Sequence, residues 1–565
     1  MSARVSSPVL IGRSDEIGRL QTALQLLVEG RGSATLIAGE AGIGKTRLMS
    51  EVAELARAGG AEVLQGGCIL LGGAALPYAP VVEALRGLVR RTDGADIEAL
   101  FGQGRAELAR LLPDLGPVAE EAPSSLSIGS AQGRLFELLL YGLERLAARA
   151  PVVFIVEDLH WSDRSTRDLL SFLVRNLRDA PVLLLLTYRS DELHRRHPLL
   201  PFLAELGRAP GVERLELRPF DGAESAAQLR AIAGRDLDAA LVESIHVRSG
   251  GNAFFAEELL VAAEEDAGSE LPRTLRDVLL ARIAHLAEPT QEFLRVASAA
   301  GQRVDPALLA SAVAMDATAL YDALRESVGH QVLVPDPTAG VERYAFRHAL
   351  LQEAIYDDLL PGERIRLHSA FARTLESRVS GDTSHASELA YHWYAAHDLP
   401  RALASAVVAG EAAERAYAFP EALAQYERAI EMWGQVPDAE THAARDQVDL
   451  LAALAGVARF LDPSRAVAHV QAALRLVDEV VDPVRYGLLN ERLGRYAWIA
   501  GQGEVANRAH RNAIRLIAPE PPSAARARAV AGLAQIEMLS GHFEEARALA
   551  EEARALARAV GARDI

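Results

Sequence analysis

Five short segments of this chain read as strands: 34–38, 62–65, 151–156, 182–187 and 213–217. Two of them, Val152-Val153-Phe154-Ile155-Val156 and Val182 through Leu186, are apolar without interruption. Strands buried on both faces read this way in parallel sheets. Between the segments, apolar positions recur at helical spacing, as in Ile17, Leu20, Leu24 and Leu27, with Ser14 or Asp15 placed to cap that first helix. Alternation of this kind predicts a doubly wound parallel α/β domain over 1–220. The interval between the second and third strands is long. It holds Pro77-Tyr78-Ala79-Pro80, several helical stretches, and a Pro-, Ser- and Gly-rich loop from Pro113 to Gly133 that is expected to be mobile.

Past residue 220 the period becomes helical. A helical lid over 221–270 contains one glycine break, Arg248-Ser249-Gly250-Gly251-Asn252-Ala253-Phe254-Phe255. Over 271–380, helices surround a single hairpin with arms Gln331–Val334 and Arg343–Phe346 and a turn from Pro335 to Gly340. Helices followed by a hairpin predict a winged-helix module. From 381 to 565 the pattern repeats. Ala422, Ala466, Ala506 and Ala546 recur about every 40 residues, and each has a second alanine two helical turns later: Ala429, Ala473, Ala513 and Ala553. Gly501 and Gly541 sit at matching turn positions. Two helices per unit at this period predict an α-solenoid of tetratricopeptide type. The sequence stops just after a helix with no polar capping helix, so the array is expected to be incomplete.

Composition narrows the reading. Half of the 565 residues are hydrophobic, enough for several large cores. The formal charge is −18, and no long Lys/Arg run interrupts it, which argues against a bare nucleic-acid-binding surface. The single cysteine, Cys68, lies in an apolar run and reads as a small buried hydrophobe. No disulfide framework is available, no segment approaches a membrane span, and the start lacks a signal-peptide core, so a cytoplasmic protein is expected.

The candidate chemistry begins at Gly39-Glu40-Ala41-Gly42-Ile43-Gly44-Lys45-Thr46. This is the phosphate-loop pattern, in its proper place between a strand and a helix. Backbone N–H groups at a helix N-terminus make a concave anion site, and glycine lets the chain approach the ligand. Gly39, Gly42, Ile43, Gly44 and Lys45, with Thr46 and Arg47 at the exit, are the expected nucleotide-binding residues. Lys45 supplies charge between the β- and γ-phosphates, and the Thr46 hydroxyl suits Mg²⁺. The third strand ends in Glu157-Asp158, carboxylates at a buried strand edge, where holding Mg²⁺ and polarising water is the fitting service. Ser162 or Asp163 can cap the helix that follows. Arg189 closes the next strand and is placed to reach a γ-phosphate.

Taken together, these residues resemble the STAND class of signal-transduction ATPases, and within it the N-terminal part of large LuxR-type (MalT-like) transcriptional regulators. The likeness spans essentially the whole chain. Its carriers are Leu10-Ile11-Gly12-Arg13, the loop 39–46, Val156-Glu157-Asp158-Leu159-His160-Trp161-Ser162-Asp163, Thr187-Tyr188-Arg189, Gly251-Asn252-Ala253-Phe254-Phe255 and Phe346-Arg347-His348-Ala349-Leu350. The resemblance implies that Gly12, Arg13 and Pro219 lie by the adenine and that His348 senses bound ADP. It also implies that Glu157 and Asp158 are the acidic pair and that Arg189 senses the γ-phosphate. The family often has Asp-Asp where this chain has Glu157-Asp158, so both carboxylates remain candidates for the metal. It often has Gly-Asn-Pro where this chain has Gly251-Asn252-Ala253, so a softer hinge is expected.

The implied function is an ATP-binding switch with slow hydrolysis. An inducer or protein would bind at the repeats, the ATP form would self-associate, and DNA would be reached only through a domain outside this sequence. A continuously turning-over AAA-type motor or loader, and a repeat scaffold with a structural nucleotide, are the alternatives.

Overall fold

The computed structural model describes residues 6–68, 70–71, 74–117, 128–265, 274–312, 316–336, 343–378 and 385–562. Residues 118–127 of the loop expected between Pro113 and Gly133, and the tip of the hairpin turn expected after Pro335, lie outside the described residues, while 128–133 belong to the helix Ile128–Ala147 instead of the loop. The chain divides into two compact units. One comprises 1–118, 135–380 and 395–397, and the other 119–134, 381–394 and 398–565.

In the first unit, five strands form a parallel sheet: β1 (Ser33–Gly39), β2 (Glu62–Gly67), β3 (Val152–Glu157), β4 (Val182–Arg189) and β5 (Val212–Glu216). Their spatial order is β2-β3-β4-β1-β5. All five expected strands are present, within a residue or two at their ends. β3 and β4 are buried almost throughout because both faces are covered. On one face Ile37, Val153, Ile155, Leu183, Leu185 and Leu215 pack with Leu20 and Leu27 of the helix Ser14–Val28 and with Leu48, Met49 and Val52 of the helix Lys45–Ala58. Side chains alternate along a strand, so Leu36, Phe154, Leu184 and Leu186, equally buried, face the other way. β5 is an edge strand, and Leu215 is its one buried residue.

Capping at the first helix differs from expectation. Arg13, not Ser14 or Asp15, is its N-cap, in a left-handed conformation with φ 67° and no side-chain cap. Its own side chain is engaged elsewhere, as described below. At the helix Arg164–Asn176, Asp163 is the cap, accepting from the Thr166 N–H at 2.7 Å. Cys68 is buried and unpaired.

Helices Gly222–Ala233, Ala239–Ser249 and Ala253–Glu265 follow, with Gly250 and Gly251 at φ 60° and 77° making the expected break. The hairpin is there, with arms β7 (Leu333–Pro335) and β8 (Tyr344–Phe346). A strand not foreseen, β6 (Arg303–Val304), adds to it on the far side of β8. Two residues carry too little pattern to be read as a strand. In the second unit, helices pack as consecutive pairs: Leu399–Arg415 on Phe419–Trp433, Gln447–Ala458 on Pro463–Leu474, Pro483–Ile499 on Gly503–Leu516, and Ala524–Leu539 on Phe543–Ala559. All eight repeat alanines are buried there. Among the described residues no helix is long and apolar enough to cross a membrane.

A buried ion network ties the helical part of the first unit together. Glu258 has no exposed surface, and both its oxygens accept from Arg282 Nη1, at 2.6 and 2.5 Å. Arg347 Nη2 donates to Glu257 at 2.9 Å and to Glu258 at 3.0 Å. Removing one partner from such a cluster strands the others without water. Glu258→Gln is expected to cost about 3–5 kcal/mol in urea unfolding of the first unit. Glu205→Gln, which breaks the exposed pair with Arg175, is expected to cost less than about 1 kcal/mol in the same measurement.

Candidate phosphate-binding site

Parallel pairing assembles the site. β1 and β4 run in a register that sets Gly39 beside Arg189, while β2 and β3 set Gly67 beside Glu157. Three strand ends therefore deliver a glycine loop, an acidic pair and an arginine to one edge of the sheet. The gap between β1 and β4 is also where the strand order reverses, the place where open α/β sheets bind ligands.

The loop leaving Gly39 requires two of its glycines. Gly42 has φ 79°, and a Cβ there would lie 2.8 Å from Asn252 Oδ1 and 2.9 Å from Phe254 Cβ. Gly44 has φ 105° and caps the helix Lys45–Ala58. Lys45 is buried, and its Nζ donates to Gly39 O and Glu40 O, each at 2.8 Å. Burial pushes its ammonium down to about 8, with the Asp158 carboxylate opposing. A buried cation whose hydrogen-bond partners are neutral carbonyls, at a helix N-terminus, suits a polyanion. Thr46 is exposed beside it. The hydroxyl of Thr46 and the carboxylates of Glu157 and Asp158 are the hard oxygen donors that magnesium takes, so the residues fit a Mg²⁺–nucleotide complex.

Glu157 Oε1 accepts from Gln65 Nε2 at 2.8 Å. Asp158 has a left-handed backbone, φ 57°, and its N–H donates to Thr187 Oγ1 at 3.1 Å. Burial raises the Asp158 carboxyl to about 6, helped by Glu157 and opposed by Arg189 and Lys45. His160 is buried, and burial, with Arg189 and Lys45 nearby, drives its pKa down to about 2. Its Nδ1 accepts from the Arg189 N–H at 3.4 Å, which leaves the proton on Nε2, 3.7 Å from Glu192 Oε2.

The Arg189 side chain is only 5% exposed. Its Nη1 pairs with Glu192 and, at 3.3 Å, with Glu353 Oε1, and its guanidinium lies 4.9 Å over the Trp161 ring. It stands where the sequence puts it, at the strand end, but held by two carboxylates.

The glycine break covers the loop. Asn252 Nδ2 donates to Ala41 O at 2.8 Å, and the Phe254 N–H donates to Gly42 O at 3.0 Å. Gly251 is pressed on the segment after β5: a Cβ would come 2.1 Å from Phe220 O. His348 caps the helix Ala349–Asp358 through Nδ1, which accepts from the Leu350 N–H at 3.1 Å. Its ring stacks on Phe254 with centroids 4.2 Å apart. Burial, with Arg189, Arg347 and Lys45 adding to it, lowers its pKa to about 3, so the imidazole is neutral with a proton on Nε2.

Arg13 is a clamp. It is 4% exposed, donates to Ile43 O at 3.0 Å and to Arg218 O at 2.7 Å, and lies 4.7 Å over Phe220. Gly12, φ 59°, leaves no room for a Cβ beside Glu224. Pro219 is exposed next to them. Arg47 is exposed and reaches back to Pro8 O at 3.3 Å. The structure thus gathers Gly39, Gly42, Gly44, Lys45, Glu157, Asp158 and Arg189, with His348 linked through Phe254. Sequence reading missed Thr187, Glu192 and Glu353 as site residues. Glu192 and Glu353 carry no motif; they are ordinary glutamates until the fold brings them to Arg189.

Residues 9–186 match the family model described as AAA ATPase domain. An uncharacterized protein of Rhizobium meliloti (strain 1021) is 27% identical over 530 residues, covering 88% of this chain and 50% of its own length. The chain thus spans about half the length of that curated relative. Among solved structures, a Signal Transduction ATPase with Numerous Domains (STAND) protein with a tetratricopeptide repeat sensor from Pyrococcus horikoshii has a TM-score of 0.44 at 14% identity, over 99% of this chain and 85% of that one. RuvB of Thermotoga maritima has a TM-score of 0.26 at 16% identity, over 62% and 96%. The first third of the chain carries an ATPase domain of the AAA type, and a mostly helical region follows it.

Proposed function

We propose that this chain is an ATP-dependent switch, in which a magnesium–nucleotide complex at the loop 39–46 governs how the helical elements of 222–378 sit on the ATPase domain. The observation that carries the reading is the cover over the loop. Ala41 O and Gly42 O accept from Asn252 and Phe254, and Phe254 stacks on His348. Whatever fills the loop is felt by both covering segments. Two nucleotides can then switch the protein only if they bind its two arrangements with different affinity.

The chemistry follows from residues already placed. Loop N–H groups and Lys45 hold the β- and γ-phosphates of the substrate. Thr46 with one of the pair Glu157 and Asp158 would hold Mg²⁺, which would neutralise charge on the phosphate oxygens. The other carboxylate orients water for in-line attack and takes its proton at a carboxylate oxygen. Asp158, at about 6, is ionised at neutral pH and still basic enough for that. The water oxygen bonds to the γ-phosphorus as the bond to the β-phosphate oxygen breaks. Arg189, once released, stabilises the charge on the γ-oxygens. His348 offers a neutral N–H donor on the side of Phe254.

In this reading 271–380 acts as a winged-helix module. An inducer bound to the tetratricopeptide-like repeats of 381–565 favours exchange of ADP for ATP, and the ATP form self-associates. A cleft of about 1040 Å³ in the repeats, lined among others by Trp433, Asp438, Arg445, Val448, Asp478 and Arg485, gives room for such a ligand. The LuxR-type resemblance extends the proposal to transcription, regulated through a DNA-binding domain outside residues 1–565 in a cytoplasmic protein.

Lys45→Ala should weaken both ADP and ATP about tenfold to a hundredfold by calorimetry, the worth of a hydrogen bond to a charged group, with helix content unchanged. Purified protein should hydrolyse ATP on the order of 10⁻³–10⁻² s⁻¹, as intrinsic switch NTPases do. Steady turnover above about 1 s⁻¹ without any added inducer would instead mark a motor. Affinity should also depend on pH at both ends. A polyanion needs protonated Lys45, so binding weakens as pH rises through about 8. Whichever of Glu157 and Asp158 holds the metal, protonating Asp158 removes negative charge from the acidic pair, so metal-dependent binding weakens as pH falls through about 6. Dissociation constants measured across that range should pass through an optimum between the two.

A further inference from the structure

We propose that Glu353 is the residue by which this site tells a nucleoside diphosphate from a triphosphate, because its carboxylate occupies on Arg189 the place a γ-phosphate needs. The proposal rests on the nucleotide-switch reading above. Arg189 ends β4 directly beside Gly39, where the phosphate loop begins. Its Nη1 is shared by Glu192 and Glu353, Trp161 lies under the guanidinium, and little of the side chain reaches solvent. An anion that takes Nη1 displaces one of these carboxylates.

The two carboxylates are not equivalent. Glu192 follows Arg189 by three residues and travels with it. Glu353 arrives from the helix Ala349–Asp358, the helix that His348 caps, 164 residues away in the chain. Losing the Glu353 contact therefore removes a tie between that helix and the end of β4, whereas losing Glu192 rearranges one loop. Carboxylate and phosphate compete for the same N–H donors. A diphosphate ends at the loop and Lys45 and leaves the Arg189–Glu353 pair intact. A triphosphate that engages Arg189 takes Nη1 from the Glu353 carboxylate, whose charged form Arg189 favours. Glu353 then loses its ion pair, and its helix loses one tie to the end of β4. The pair is lost only with the triphosphate, so it produces a difference of affinities, which is what selectivity and switching both require.

The test uses the full chain with Mg²⁺, measuring dissociation constants of ADP and of the β,γ-imido analogue of ATP by calorimetry. Glu353→Gln keeps the size of the side chain and removes its charge. It should tighten the analogue about tenfold, within the range of ordinary coupling between sites, while ADP changes less than about twofold. Glu353→Asp, a shorter carboxylate, should shift the same ratio in the same direction by a smaller factor, and it carries the test if the glutamine variant fails to fold. Equal changes for both nucleotides, or an unchanged ratio in the folded variants, would overturn the proposal. Failure of the wild-type chain to bind either nucleotide would remove the switch reading itself. That result is visible before any variant is made and so is distinct from a failed ratio.

Discussion

Everything at the phosphate end depends on one register, the pairing of β1 with β4. It sets Gly39 against Arg189, and with β3 on the other side of β4 it brings Asp158 close enough to Lys45 for each to alter the other's proton affinity. Parallel strands buried on both faces hold such a register firmly. A slip of one residue would turn Ile37, Leu183 and Leu185 away from the helices they pack on. The core therefore does more than stabilise. It fixes, to a fraction of a residue, which charges meet at the end of the sheet.

The parts of this arrangement legible in the sequence share a property: each is local. Continuous apolar runs announce buried strands, Gly39 to Thr46 announces an anion loop, and carboxylates at the end of an apolar run announce a function that outweighs their desolvation. The cover over the loop was half legible, since Gly250-Gly251-Asn252 reads as a break but nothing in it says what the break touches. The ion pairs of Arg189 were not legible. Glu353 lies on a helix with Gln352, Asp357 and Asp358, and only tertiary contact distinguishes it from Glu363 or Glu376. The cap at Arg13 failed for a related reason. Local rules favour Ser14 or Asp15, but the guanidinium of Arg13 is drawn to Ile43 O and Arg218 O, and the backbone follows it into the left-handed region.

The repeats carry the same lesson in a simpler form. Turns were marked at Gly501 and Gly541 because glycine tolerates positive φ. The backbone takes the same left-handed turn at Tyr417, five residues before Ala422, just as Gly501 precedes Ala506 and Gly541 precedes Ala546. Tyr417 is buried and stands by Phe419, so side-chain packing offsets what the backbone costs, about 1–2 kcal/mol for a residue with a Cβ. The turn belongs to the architecture of the helix pair, and glycine is only one of the residues that can supply it.

The balance of charge at the sheet edge explains why phosphate and metal would have to arrive together. Lys45 feels Asp158, Asp191 and Glu192 as well as Arg189, and Arg189 in turn is faced by Glu353. With Glu157 beside Asp158, carboxylates outnumber the two cations here. A bare polyphosphate would meet repulsion on the acidic side even while the loop N–H groups attract it. A divalent ion held by the acidic pair would reverse the sign of that side. Removing one carboxylate from Arg189 completes the reversal by making a guanidinium available. Acidity near a phosphate loop is then no contradiction: in the proposed switch it would make tight binding conditional on the metal and on the helix that carries Glu353, a conditionality that a simple nucleotide pocket lacks.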